Sequence, residues 1–389
     1  MNHNILVDFD KEKCCGCTAC QAICARHAIQ MYRDKQGFLY PVVDEKLCVG
    51  CGMCVGLCPD DKLIAAMPKQ VIACKHAEEK EQLSATSGGF ATALTQKVIA
   101  EGGIVYGVAY DEFPHVATIR IENEKDIERL KGSKYVQTDL KSTLSEVAAD
   151  LKSGKQVAFF GTSCHVNGLS NYLEAKRISS DNLTSIDLIC HGVPSPMLFE
   201  EYIAYISKGR KKATNYHFRT KNGELGWGYG SVSFYPTIEW DNGKSEVNTL
   251  LALSWMRLFF SNNCLRPHCH LCPYAGVGRS GDFTIADYWG LMKEHPEFFT
   301  NKGVSLVFCN TEKSEKIKSS MTNIISIDST YEKAAIKQGN LHAPSKRAET
   351  YNQFWSDYEN HGIENVLKRY AFLDFKSQVK GFVKNLLRK

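Results

Sequence analysis

Long apolar runs are missing from this 389-residue chain, and none approaches the length that crosses a bilayer. Its first residues, MNHNILVDFDKEKCCGC, lack the apolar core of a secretory signal, so the chain is expected to stay in the cytoplasm. A basic body is missing as well. The net charge of +4 is matched by the last nineteen residues alone, where Lys376, Lys380, Lys384, Arg388 and Lys389 oppose only Asp374. The rest is close to neutral, which excludes a nucleic-acid-binding surface. No Cys-x3-Cys-x2-Cys occurs, which removes the radical-SAM class.

Cysteine, by contrast, is abundant. Sixteen thiols in a reducing compartment point to metal ligation or redox chemistry rather than disulfides. Cys14-x2-Cys17-x2-Cys20-x3-Cys24 recurs 34 residues later as Cys48-x2-Cys51-x2-Cys54-x3-Cys58-Pro59. Three thiolates at this interval grip one face of a cubane, and the fourth points to the neighbouring cluster. The matching is therefore crossed. Cys14, Cys17, Cys20 and Cys58 would hold one [4Fe–4S] cluster, and Cys48, Cys51, Cys54 and Cys24 the other. Zinc fits two even quartets poorly, because its structural sites pair separated Cys-x2-Cys units. Residues 5–68 resemble a bacterial two-cluster ferredoxin, with one departure: Ala25 stands where the second half has Pro59. Cys15 reads as a non-ligand neighbour.

With 43% hydrophobic and 23% charged residues, the chain is globular and long enough for several domains. Beyond Met67-Pro68-Lys69, helix-like and strand-like segments alternate. SATSGGFATALTQKVIAEGG reads as a small-residue loop opening a helix, with Phe90, Leu94, Val98 and Ile99 on one face and Gly102-Gly103 as its stop. IVYGVAY, QVAFFG and SIDLIC read as strands, the last two ending in loops that carry Cys164-His165 and Cys190-His191. The pattern predicts an α/β body (α+β over the whole chain) with functional loops at strand C-termini. HFRTKNGELGWGYGSVSFYPTIEWDNGK predicts an antiparallel insert. Expected boundaries are 1–70 for the ferredoxin domain, 71–165 and 166–345 for the two parts of the body, and 346–389 for a helical basic tail. In that tail Phe375, Val379, Phe382 and Leu386 form an apolar stripe flanked by Lys376, Lys380 and Lys384. Such a helix can lie at the inner membrane face or dock on its own domain.

The ordered set TSGGF, KGSKYVQ, GTSCHVNGL, DLICHGVPSP, CLRPHCHLCPYAG and SGDFTIADYWG resembles the coenzyme F420 hydrogenase/dehydrogenase beta-subunit family, which includes plant 7-hydroxymethyl chlorophyll a reductase. The similarity runs from about Ala73 to Asp287. It implies a non-covalent FAD, a further iron–sulfur cluster beside it, and electron or hydride transfer to a second molecule. On this resemblance Thr86, Ser87, Gly88 and Gly89 would meet the flavin's phosphates or ribityl chain, and Ser133, Lys134 and Tyr135 would also bind flavin.

Cys264, Cys269 and Cys272 supply three thiolates, and a third [4Fe–4S] cluster needs four. Either Cys190, preferred here, or Cys164 could complete the set. Zinc is the rival occupant, since His268 and His270 interleave. Cys164, with its thiol pKa lowered at a helix N-terminus, and His165 and His191 are the candidate catalytic groups. Cys74 and Cys309 read as core residues. The expected activity is that of an iron–sulfur flavoprotein oxidoreductase. Ferredoxin or another low-potential donor would reduce it, and an organic substrate would be reduced in turn; the reverse direction would use F420 or a similar hydride carrier. The alternative is a non-catalytic subunit relaying electrons to a separate enzyme.

Overall fold

The computed structural model describes residues 9–58, 66–209, 211–221, 226–227 and 235–373. Pro59, most of FRTKNGELGWGYG and the lysine-flanked stripe after Asp374 lie outside them.

The N-terminal unit holds a short helix, Ala19–Ile23, and an antiparallel hairpin of β1 (Ile29–Arg33) and β2 (Leu39–Val43). The body follows with β3 (Gln70–His76), β4 (Ile104–Glu112), β5 (His115–Ile121), β6 (Val157–Thr162) and β7 (Leu183–Leu188). Next come β8 (Ala213–His217), β9 (Thr237–Trp240) and β10 (Ser245–Val247), then β11 (Phe283–Asp287), β12 (Ser305–Cys309) and β13 (Ile324–Ser329). Eight of these form one sheet in the order β13-β3-β12-β11-β7-β6-β4-β5. Its centre, β11-β7-β6-β4, is parallel, while every outer pairing is antiparallel. Central strands buried on both faces need continuous apolar side chains, and Ile104 to Tyr106 and Val157 to Phe159 meet that need. The antiparallel insert is the three-stranded sheet β10-β9-β8.

Helices cover the sheet where the apolar spacing predicts them. Phe90–Ala100 buries Phe90 and Leu94 completely against the sheet, with Val98 and Ile99 partly covered. Ser163–Ala175 grows directly from the end of β6. Pro196–Ser207 starts with Ser195 accepting from the Leu198 amide and with Pro196 in its first turn, both strong start signals. A final helix, Tyr351–Tyr370, breaks its geometry at Gly362 (φ 73°).

The N-terminal unit is packed hard onto the body. Phe38 and Tyr40 of the hairpin join the core of the insert and the last helix, with Phe38 edge-on to Trp355 at 6.2 Å. Ser195 Oγ donates to the Gln36 carbonyl, and Arg33 makes a two-pronged pair with Glu200 at 2.7 Å. Gly37 (φ 82°) sits where a methyl group would stand 2.3 Å from Met197 Cβ, so the contact depends on glycine. Among the described residues no helix is long and apolar enough to cross a membrane.

Candidate electron-transfer site

Parallel register assembles the first half of the site. Thr162 at the end of β6 pairs with Leu188 at the end of β7, so Cys164 and Cys190 each emerge two residues past adjacent strand ends. Such strands lie about 4.8 Å apart, which makes the two thiols neighbours although 26 residues separate them. The 3-10 turn Pro267–Leu271 brings in the second half. Cys269 and Cys272 border the same cavity, together with Cys15, His191, Arg266, His268, Tyr274 and Arg279.

Cys264, offered from the sequence as a third ligand, is placed apart from this cavity. It is fully buried in the apolar core and its thiol donates to the Leu258 carbonyl at 3.4 Å, away from the cavity. Five cysteines border the cavity: Cys15 from the N-terminal unit, and Cys164, Cys190, Cys269 and Cys272 from the body. Sequence spacing favoured Cys264 because it begins the cysteine-rich stretch. The backbone decides otherwise: Ser195 N donates to the Cys264 carbonyl and Arg266 N to the Val193 carbonyl, which pins this segment with Cys264 pointing inward.

Backbone N–H groups are aimed at these sulfurs. Gly192 N lies 3.3 Å from Cys190 Sγ, and Val193 N lies 3.4 Å from Cys269 Sγ. Burial, then proximity to Cys164 and Cys272, pushes the Cys190 thiol up to about 12. Cys272 rises to about 11, first by burial and then through Cys164. Cys164 is also raised, first by its hydrogen bond with Cys15 and then by burial, so the expected lowered helix-terminus thiol is not found. Crowded, buried thiols of this kind keep their protons until a cation takes them. They border the cavity rather than meet at a point: among the described residues no three Cys, His, Asp or Glu side chains converge tightly enough to chelate one ion. Tyr274 Oη, buried and without a partner among the described residues, also lines it.

Arg279 clamps the loop that carries Cys272. It donates to Tyr274 O (2.8 Å), Ser163 Oγ (2.8 Å), Leu188 O (2.7 Å) and Asp187 Oδ1 (3.0 Å). Asp187 is fully buried and accepts from the Ser280 and Gly281 amides as well. The two histidines offered as proton carriers are not alike. His165 is buried, and burial, with Arg266 next, lowers it to about 4, so it is neutral at physiological pH. His191 borders the cavity, bonds Asn262 Oδ1 at 2.7 Å and is lowered by burial.

In the N-terminal unit, burial lifts Cys20 to about 12, followed by its neighbours Cys14, Cys58 and Cys54. Burial also raises Cys54, whose cysteine neighbours are Cys51, Cys24 and Cys48. The Ala28 and Gly50 amides approach Cys24 Sγ (3.3 Å) and Cys48 Sγ (3.5 Å). Cys17 is buried against Gly168, and Cys74 and Cys309 lie in the sheet core.

The two loops offered for flavin do meet. Ser133 N and Oγ bond Thr86 Oγ1 at 2.8 and 3.2 Å. Gly88, however, is a packing position: its amide donates to Ser305 Oγ, and a Cβ there would stand 2.2 Å from the Cys74 carbonyl. Gly89 (φ 97°) caps the helix that follows. Two buried lysines belong to these loops or bond them. Lys134 donates to the Arg129 and Lys131 carbonyls, and Lys221, which sequence reasoning passed over, donates to those of Ser87 and Lys302. Burial lowers each to about 7. Tyr135 stacks on Phe259 (4.9 Å, 24°), and Phe259 in turn touches His191 at the cavity (4.9 Å). Arg219, paired with Asp287 at 2.5 Å, lies beside Tyr135.

Two cysteine quartets on tight loops, docked on a mixed sheet, mark the chain as an iron–sulfur, electron-transferring protein. Residues 13–62 match the 4Fe-4S dicluster domain, and residues 154–333 match the C terminus of the coenzyme F420 hydrogenase/dehydrogenase beta subunit. The chain is thus similar to a dicluster ferredoxin module over its N-terminal residues and to the C terminus of the coenzyme F420 hydrogenase/dehydrogenase beta subunit over 154–333. Among solved structures, a chain of the F420-reducing [NiFe] hydrogenase complex from Methanosarcina barkeri, studied by xenon derivatization, is similar at 15% identity. The match covers 71% of this chain and 90% of that one, with a TM-score of 0.48. No curated protein matches.

Proposed function

We propose that the chain is an iron–sulfur flavoprotein oxidoreductase with three cluster sites and one FAD. The observation that carries this reading is the gathering of Cys164, Cys190, Cys269 and Cys272 from three separate segments around one cavity, adjacent to the N-terminal cysteines. Thiolates on one zinc ion stand about 3.8 Å apart, as Zn–S bonds of about 2.3 Å require. Four sulfurs bordering a cavity suit the wider cubane. The N-terminal quartets, Cys14, Cys17, Cys20, Cys58 and Cys48, Cys51, Cys54, Cys24, would hold the other two clusters.

The buried lysines on and beside the two loops fit an anionic cofactor. Lys134 and Lys221 are buried amines bonded to carbonyl oxygens, and a phosphate would favour their charged form, as Asp287 already does for Lys221. Thr86, Ser87, Gly89, Ser133 and Tyr135 would line the approach of such a cofactor. Clusters would supply one-electron carriage and FAD two-electron storage, so a low-potential donor such as ferredoxin could drive reduction of an organic substrate, or F420 could drive the reverse. Around these groups the residues of the chain have plain tasks. Arg279 and Asp187 hold the Cys272 loop shut against water, Phe259 bridges the two sites, and His191 offers a proton at the cavity rim.

The test is iron and flavin content per chain after strictly anaerobic purification. About 12 iron atoms with one FAD support the proposal. About eight iron atoms would remove the cavity cluster. Absence of flavin, even after reconstitution, would leave the relay subunit as the function.

A further inference from the structure

Arg266 is one of the largest wholly buried side chains in the molecule. Its guanidinium keeps its charge at any accessible pH. Burying such a charge costs several kcal/mol unless an anion compensates it. Yet among the described residues no carboxylate pairs with it. Nε donates to the Cys14 carbonyl at 2.6 Å, Nη1 to Gln137 Oε1 at 3.0 Å, and Nη2 to the Leu39 carbonyl at 2.9 Å. The Tyr40 and Phe38 rings lie 4.3 and 5.4 Å away. All of these partners are neutral.

What remains are thiols. Nη2 reaches Cys14 Sγ at 3.4 Å on the N-terminal side. On the other side, the same residue borders the cavity of Cys164, Cys190, Cys269 and Cys272. It also belongs to the segment that supplies two of those four, three residues before Cys269. Gly16 keeps the approach open, since a methyl group there would stand 3.0 Å from Nη1.

We infer that Arg266 is the shared counter-charge of the Cys14 quartet and the cavity quartet, a positioning residue that raises the reduction potentials of the clusters they hold. This rests on the three-cluster reading above. A cation stabilises the more negative, reduced form of a cluster, and a hydrogen bond to a cluster sulfur acts in the same direction. The Cys14 quartet receives both effects and the cavity quartet the charge alone, so the Cys14 quartet should respond more. An electron arriving from the N-terminal unit would thereby be held beside the cavity.

The test is an EPR-monitored redox titration of the anaerobically loaded, full-length chain in two variants. Gln137→Glu places a carboxylate 3.0 Å from Nη1 and cancels the charge without removing the arginine. Arg266→Lys keeps the charge and loses the fork. Gln137→Glu should lower the Cys14-quartet midpoint by at least a tenfold change in the reduction equilibrium, which is about 59 mV for one electron. Arg266→Lys should shift it by clearly less. Gln137→Glu also gives up the bond from Gln137 Nε2 to the Cys15 carbonyl (3.0 Å), so the midpoint, read on chains that keep their iron, decides the role of the charge. Wild-type midpoints in Gln137→Glu, or equal midpoint shifts in both variants, would overturn the inference. A wild-type chain with about eight iron atoms would refute the cavity cluster alone, and the Cys14 midpoint would still decide the role of Arg266. A wild-type chain with no cluster at the Cys14 quartet would overturn both.

Discussion

Gly168 and Cys17 touch so closely that a methyl group on Gly168 would lie 2.7 Å from Cys17 Cβ and 2.8 Å from its sulfur. The helix that begins beside Cys164 is therefore also the surface on which the N-terminal cysteine loop rests. Both ends of that contact carry ligands of neighbouring clusters in the proposed arrangement. Gly168→Ala should cost about 1–3 kcal/mol through overpacking and release iron from the Cys14 quartet. Iron counting against thermal unfolding checks this, and unchanged values of both would show that the loop can retreat freely.

Cys164 and Cys264 offer a direct comparison of a cavity thiol with a core thiol. Cys164→Ala should reduce iron from about 12 to about 8 atoms per chain. Cys264→Ala should retain all the iron and lose about 1 kcal/mol of stability from the small void it leaves. Cys15→Ala should also retain the iron if Cys15, which borders the cavity and bonds both Cys164 and Cys17, is not a ligand. Full iron in Cys164→Ala with loss in Cys15→Ala would exchange their roles.

The Asp187–Arg279 pair is buried, with side-chain exposures of 0% and 3%. Breaking it by Asp187→Asn should destabilise the chain by about 3–5 kcal/mol, since a buried guanidinium loses its partner. The surface pair Glu364–Lys368, more than half exposed at both ends, is the control, and its removal should not move the urea midpoint. A small effect of Asp187→Asn would mean that the amide oxygen and the Leu188 carbonyl suffice.

Lys134 and Lys221 set a pH dependence. Burial lowers both to about 7 in the folded chain, below their ordinary value of 10.5. The folded chain then binds fewer protons than the unfolded one between about pH 7 and 10.5, so stability rises with pH in that window. An anion bound beside them favours the charged form, and its affinity should run the opposite way. FAD binding should weaken as pH rises above about 7, by up to about tenfold per pH unit for each lysine that discharges. Fluorescence titration with FAD from about pH 6.5 to 8.5 measures this, and Lys221→Met should flatten the slope. A flat wild-type profile would place the phosphates elsewhere.

Local signals carried much of this molecule. Regular cysteine spacing is enough to read two quartets, because a cubane imposes its geometry on a short loop. Apolar periodicity placed the Phe90–Ala100 helix and the strands before Cys164 and Cys190, since their partners lie on the same face a turn or two away. Choosing among Cys164, Cys190 and Cys264 was a different problem. Strand register joins the first two, and hydrogen bonds from Ser195 and Arg266 turn the third into the core. Arg266 itself sits in plain view within CLRPHCHLC, but a charge has no functional meaning until its burial and its partners are known. Lys221 was hidden for the same reason, its neighbours Ser87 and Lys302 being 134 and 81 residues away in the chain. Spacing along the chain decided which residues could bind metal, and long-range packing decided which of them face each other.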